Sequence, residues 1–146
     1  MSSFEEELDR NGVLVFTNKG HSMMPLLREN RDLMVIEKKG PERCRKYDAV
    51  LFKQGDRYVL HRILEVRDRD YYIVGDNCRK GDVVRDEQIL GVLTQVVRDG
   101  KTIHVEDPAY QRYVRLWCGC FPLRAGLFFL RDEARLAARK LKKLLK

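Results

Sequence analysis

Few residues in this chain belong to the types that would assign it to a specialised class. Its 146 residues include only four cysteines, Cys44, Cys78, Cys118 and Cys120, and their spacing forms no framework. That spacing argues against a disulfide-stapled scaffold. Cys118-Gly119-Cys120 lacks the second pair or nearby histidine that a zinc site needs. Reduced thiols in a cytosolic setting are the simplest account. There are no repeats and no low-complexity tracts. At 44% apolar and 35% charged, the composition is that of a globular chain rather than a disordered one. The longest apolar stretch, Leu116–Leu130, is fifteen residues long and contains Pro122 and Arg124, whereas a spanning helix takes about 20. Residues 1–10 are acidic and have no apolar segment of the kind found in a signal peptide or anchor. The chain is therefore expected to stay in the cytoplasm. Its length suits one domain with at most an appendage, able to bury about two-thirds of its unfolded surface.

Charge is unevenly placed. The formal net charge is +7, yet residues 109–146 carry ten Lys or Arg against Asp132 and Glu133, while the rest carries nineteen against twenty acids. The chain therefore divides into a domain over 1–108 and a basic tail over 109–146. In the tail, Leu130, Ala134, Ala137, Ala138, Leu141 and Leu145 recur at helical spacing, with Arg and Lys on the remaining surface. Two readings stay open for this amphipathic helix. It packs its apolar stripe on the domain or on a partner, or it lies on an anionic membrane surface at the inner face. No stacking aromatics are interleaved with its charges, so no nucleic-acid partner is expected.

The segment before the tail reads as strands. A short helix is expected over 1–10, with Phe4 and Leu8 on one face. Short apolar runs bounded by charge follow at Val13–Phe16, Leu33–Ile36, Ala49–Phe52, Arg57–Val66, Tyr71–Val74 and Ile89–Val97. Asp99-Gly100 then marks a hairpin into Lys101–Val105. The pattern predicts a mainly β core of coiled sheets with a C-terminal amphipathic helix.

Candidate chemistry sits in three of these segments. Ser22 lies between Gly20-His21 and Met23-Met24-Pro25, at a turn. His61 lies within Tyr58–Leu64, where period-2 counting places it on the face of Val59 and Ile63, opposite Leu60, Arg62 and Leu64. A serine hydroxyl becomes a nucleophile when a base takes its proton, and neutral imidazole is the usual base near pH 7. His21 is a neighbour of Ser22 but points to the other face, and His104 lies in a charged edge segment. Gly75-Asp76-Asn77 and Asp82 supply carboxylates. Asp76 reads as a turn former, and Asp82 takes the role of orienting His61.

Together the boxes Gly20-His21-Ser22-Met23-Met24-Pro25, Arg31-Asp32-Leu33-Met34-Val35-Ile36, Tyr47-Asp48-Ala49-Val50, Val59-Leu60-His61-Arg62-Ile63, Gly75-Asp76-Asn77 and Ile89-Leu90-Gly91-Val92 resemble the signal peptidase I and LexA-like superfamily of serine peptidases. The resemblance runs from about Val13 to about Ile103. His61 stands where bacterial leader peptidases and LexA-type repressors have lysine, as in the endoplasmic reticulum and archaeal-like branch. The resemblance implies a serine endopeptidase with Ser22 as nucleophile, His61 as base and Asp82 orienting it. It implies Gly20, Met23 and Pro25 at the substrate, and Gly75, Asp76 and Asn77 as a structural turn. The substrate would be an extended peptide or precursor protein with small residues before the cleaved bond, and no cofactor or metal is needed. Gly20 departs from members that carry a hydroxyl residue there to help hold the oxyanion, which leaves backbone N–H groups for that task. The acidic start also departs from members tethered by an N-terminal membrane helix. The alternative is a catalytically silent peptide- or membrane-binding module of the same fold. A self-cleaving, DNA-binding switch would need a helix-turn-helix, for which the N-terminus is too short.

Overall fold

The computed structural model describes residues 3–145. Along the chain run α1 (Phe4–Asn11), β1 (Val13–Thr17), β2 (Leu33–Lys38), β3 (Ala49–Gln54), β4 (Arg57–Val66), β5 (Tyr71–Val74), β6 (Asp82–Val84), β7 (Ile89–Arg98), β8 (Lys101–His104), α2 (Pro108–Gly119) and α3 (Phe121–Leu144). The fold is mainly β. Eight strands form one sheet in the order β1-β2-β7-β3-β4-β5-β6, with β8 also on β7. Every pairing is antiparallel.

Local chemistry accounts for several element ends. Ser3 Oγ accepts from the Glu6 N–H while the Glu6 carboxylate accepts from the Ser3 N–H, a reciprocal cap that starts α1. Gly12, at φ 73, ends it. Met1 and Ser2, part of the helix expected over 1–10, lie outside the described residues. Asp99 and Gly100 both have positive φ, 50 and 78, the geometry that matches a tight turn to the twist of its strands. Strand β6 and helix α2 are not among the expected elements.

The sheet is apolar on both faces. Along β3, Ala49 and Leu51 join one core cluster and Val50 and Phe52 the other. Along β4, Leu60 joins the first and Ile63 the second, as period-2 counting requires. Register shifts in the β2–β7, β3–β7 and β4–β5 pairs bend the sheet. Leu8 of α1 and Tyr110, Val114 and Cys118 of α2 cover the first cluster. The stretch just after residue 108 therefore belongs to the core. From Glu133 to Leu145 every side chain is exposed.

What holds α2 down is a buried charge. Arg62 and Asp76 are both 0% exposed, and the guanidinium grips the carboxylate with two bonds, Nε to Oδ1 at 2.8 Å and Nη2 to Oδ2 at 2.9 Å. Arg62 also donates to the Tyr47 carbonyl at 2.8 Å and the Tyr110 hydroxyl at 3.1 Å. From α2, Tyr113 donates to Asp76 Oδ2 at 2.7 Å and Trp117 Nε1 to the Asp76 carbonyl at 2.6 Å. Burial by itself would lower the Arg62 pKa, but the adjacent Asp76 charge outweighs it and holds Arg62 well above its usual range. Arg62→Leu leaves Asp76 buried without its partner and is expected to cost about 3–5 kcal/mol in urea unfolding. Replacing both residues, as Arg62→Met with Asp76→Leu, is expected to restore more than half of that loss.

Candidate active site

Ser22 sits in the loop between β1 and β2, and the loop is closed at its neck. The Asn18 N–H donates to the Asp32 carbonyl at 3.0 Å, and the Asn30 N–H to the Asn18 carbonyl at 2.8 Å. The Asp32 carboxylate is fully buried. It accepts from the Arg28 backbone N–H at 2.8 Å, from the Arg28 guanidinium at 3.1 Å and from Arg98 at 3.3 Å. Arg98 also donates to the Leu26 carbonyl. Met23, Leu26 and Leu27 plug the loop into the core, leaving Ser22 and Pro25 exposed. Met23 was expected at the substrate, but it is 2% exposed and its sulfur accepts from the Asp76 N–H. It anchors the turn from beneath, because an apolar side chain next to an exposed serine gains most by turning inward. Gly20 has φ 88, a conformation that side chains with a Cβ rarely adopt. The missing hydroxyl at that position thus has a backbone cause.

His61 is partly buried on β4, where it pairs with Val50 and meets Phe52 edge-on at 6.1 Å. Its neighbour Arg62 pairs with Val74, so the chain beyond β5 places Gly75 beside the imidazole. A Cβ at Gly75 would lie 2.5 Å from the Ser22 carbonyl oxygen, 2.8 Å from Cys78 Sγ and 3.0 Å from His61 Cδ2. The Ser22 turn and the histidine ring therefore close on one point that only a glycine leaves open. Asn77 clamps the turn there. Its N–H donates to the Ser22 carbonyl at 2.8 Å and its Nδ2 to the His21 carbonyl at 2.9 Å. The His21 side chain pairs instead with Glu29 at 2.9 Å.

The two candidate acids separate cleanly. Asp76 spends both carboxylate oxygens on Arg62 and Tyr113, so it is a structural anchor. Asp82 pairs across β6 with Ile73, which pairs with Ile63, and this row puts it on the face of His61. Burial lowers the His61 pKa below the ordinary 6.5, and the charges of Asp82 and Asp76 oppose that shift without overcoming it. Neither Asp82 nor Ser22 hydrogen-bonds the ring, and Nδ1 is buried without a partner among the described residues. Cδ2 is the ring atom nearest the point shared with the Ser22 carbonyl; it is bonded to Nε2, and Nδ1 lies across the ring. The N–H groups of Ser22 and Met23 have no acceptor among the described residues and are free to donate to a bound oxygen. Among the described residues, no three His, Cys, Asp or Glu form a metal-binding group.

Several contributors escaped the reading of the sequence, namely Arg62, Tyr110, Tyr113 and Trp117, while Asn77, expected in a structural turn, does clamp the Ser22 loop. A signal for Arg62 was present, since a cation between Leu60 and Leu64 on an apolar face demands a buried anion. The aromatics at i, i+3 and i+7 likewise mark one face of a helix.

No protein-family model matches the chain, and no curated protein matches it. Gly75→Ala is expected to lower stability by about 1–3 kcal/mol through overpacking and to shift the His61 ring resonances. Gly126→Ala, where an added Cβ meets nothing within 4 Å, is expected to be neutral or stabilising in the same unfolding and NMR measurements.

Proposed function

We propose that this protein is a serine endopeptidase with coiled sheets of the signal-peptidase and LexA-like type, acting through Ser22, His61 and Asp82. The observation that supports this reading is that the Ser22 carbonyl oxygen and His61 Cδ2, the ring carbon bonded to Nε2, lie 2.5 Å and 3.0 Å from one point, the position of a Cβ at Gly75. Ser22 Oγ attacks the scissile carbonyl, and His61 Nε2 takes the proton and returns it to the leaving amine. The same base then takes a proton from the water that hydrolyses the acyl-enzyme and returns it to Ser22 Oγ, while the Ser22 and Met23 N–H groups hold the oxyanion. With Nε2 as base, Nδ1 carries a hydrogen. A rotation of the Asp82 side chain gives that hydrogen an acceptor and stabilises the imidazolium as it forms. Strand β1 ends the sheet order and runs directly into the Ser22 loop. An extended peptide, such as a leader-bearing precursor in the cytoplasm, adds along this edge, with exposed Pro25 beside it. A second reading, a module that captures peptides without cleaving them, draws on the unpartnered Nδ1.

Labelling by a fluorophosphonate or peptidyl boronate probe tests the proposal. Wild type is expected to label and Ser22→Ala and His61→Ala are not. A folded wild type that captures peptide without labelling favours the second reading. The pH dependence has a definite sign. Only neutral His61 acts as base, so labelling rises with pH and is half-maximal below the ordinary 6.5, because burial disfavours the charged ring. Asp82 favours the charged ring, so Asp82→Asn is expected to move the midpoint lower still and to slow labelling by about 100-fold or more. A midpoint that does not move removes Asp82 from the mechanism.

A further inference from the structure

Helix α3 presents its apolar stripe outwards. Leu123, Leu127, Leu130, Leu141, Leu144 and Leu145 are 57% to 82% exposed. The face turned to the domain is instead the one bearing Arg124, Phe128, Arg131 and Asp132. Arg124 is buried against the rings of Trp117, Phe121 and Phe128 and donates to the Trp117 carbonyl at 3.3 Å. Arg131 donates to Asn77 Oδ1 at 3.1 Å, and Asp132 pairs with Arg79 at 3.7 Å. The apolar stripe is therefore not packed on the domain. A contiguous leucine stripe this long without cover implies an occupant.

Charge identifies that occupant. The helix carries seven Lys or Arg against Asp132 and Glu133. At 100° per residue, Lys140 and Lys142 flank Leu141 on its two sides, and Arg135 and Arg139 lie on the Lys142 side, so cations border the stripe, most of them along one edge. Long basic side chains in that position lay their stems along an acyl boundary and put their charge among headgroups. Two copies of the helix would bring like charges together, which disfavours self-pairing. No helix among the described residues is long and apolar enough to cross a membrane, so the lipid contact is along the surface.

We propose that α3 is an interfacial helix that docks the protein on an anionic lipid surface through its Leu123–Leu145 stripe. The contacts to Asn77 and Arg79 come from Arg131 and Asp132, which lie off the stripe, and stay in place during docking. The docked face does not depend on Ser22 chemistry, so this proposal stands apart from the peptidase reading.

The test is sedimentation of the full chain with vesicles of phosphatidylcholine alone and of phosphatidylcholine with phosphatidylglycerol at 3:1. Trp117, the sole tryptophan, touches Phe128 of α3, so its emission gives a second readout. The chain is expected to bind the anionic vesicles at least about tenfold more tightly than the neutral ones and to weaken with salt. Leu127→Glu with Leu130→Glu is expected to abolish binding without changing the unfolding transition, since both side chains are exposed. The proposal is overturned by equal affinity for the two vesicles or by no binding at all. It is also overturned if the double variant binds like wild type, or if wild type forms a dimer that this variant breaks.

Discussion

The contact between Arg62 and Asp76 positions nearly everything else of interest. A buried ion pair contributes little net stability, because desolvation offsets its attraction. Its consequence here is positional. Arg62 follows His61, and Asp76 lies between Gly75 and Asn77, so one pair of charge-assisted bonds sets the strand of the histidine against the loop that meets the serine. Three consecutive residues then act in turn. Gly75 leaves room for the ring and the Ser22 carbonyl, Asp76 fastens the loop to Arg62 and α2, and Asn77 holds the turn. A displacement of Asp76 moves all three.

The same arrangement separates two kinds of electrostatics. Adjacent strand residues face opposite sides of a sheet, so β4 puts a permanent cation on one side and an imidazole on the other. Asp76 neutralises Arg62 and has no oxygen left for the histidine, which leaves Asp82 as the acid on the His61 face. Burial is the largest influence on the ring and favours its neutral form, and the acids temper that effect.

Much of this was legible in the sequence, for physical reasons specific to each part. The strands β1 to β5 and β7 are apolar runs stopped by charges, and the Asp99-Gly100 turn announces itself by residue type. Alternation alone put His61 with Val59 and Ile63. By contrast, β6 is three residues long, too short for a period to show. In α2 the aromatic face shares its stretch with arginines and merges into the following apolar run, so no boundary stood out. Met23 and Met24 are adjacent and similar, and only the fold of the turn decides which is buried. In α3 the periodicity located the stripe but not the side it faces. That side is decided by the Arg124 ring cage and the Arg131–Asn77 bond, contacts that a moment along one helix does not contain.

The two halves of the candidate site differ in how firmly they are held. His61 stands in the middle of a ten-residue strand paired on both sides. Ser22 stands on a loop, exposed, with its carbonyl clamped by Asn77. Loop residues are positioned by their anchors rather than by a ladder, so the geometry between serine and histidine is set mainly on the serine side. The Asn77 side chain also accepts from Arg131 of α3. A single amide thus joins the least constrained catalytic candidate to the helix with the least covered face. Any force that repositions α3 acts on Arg131, then on Asn77, and then on the two carbonyls that fix the turn.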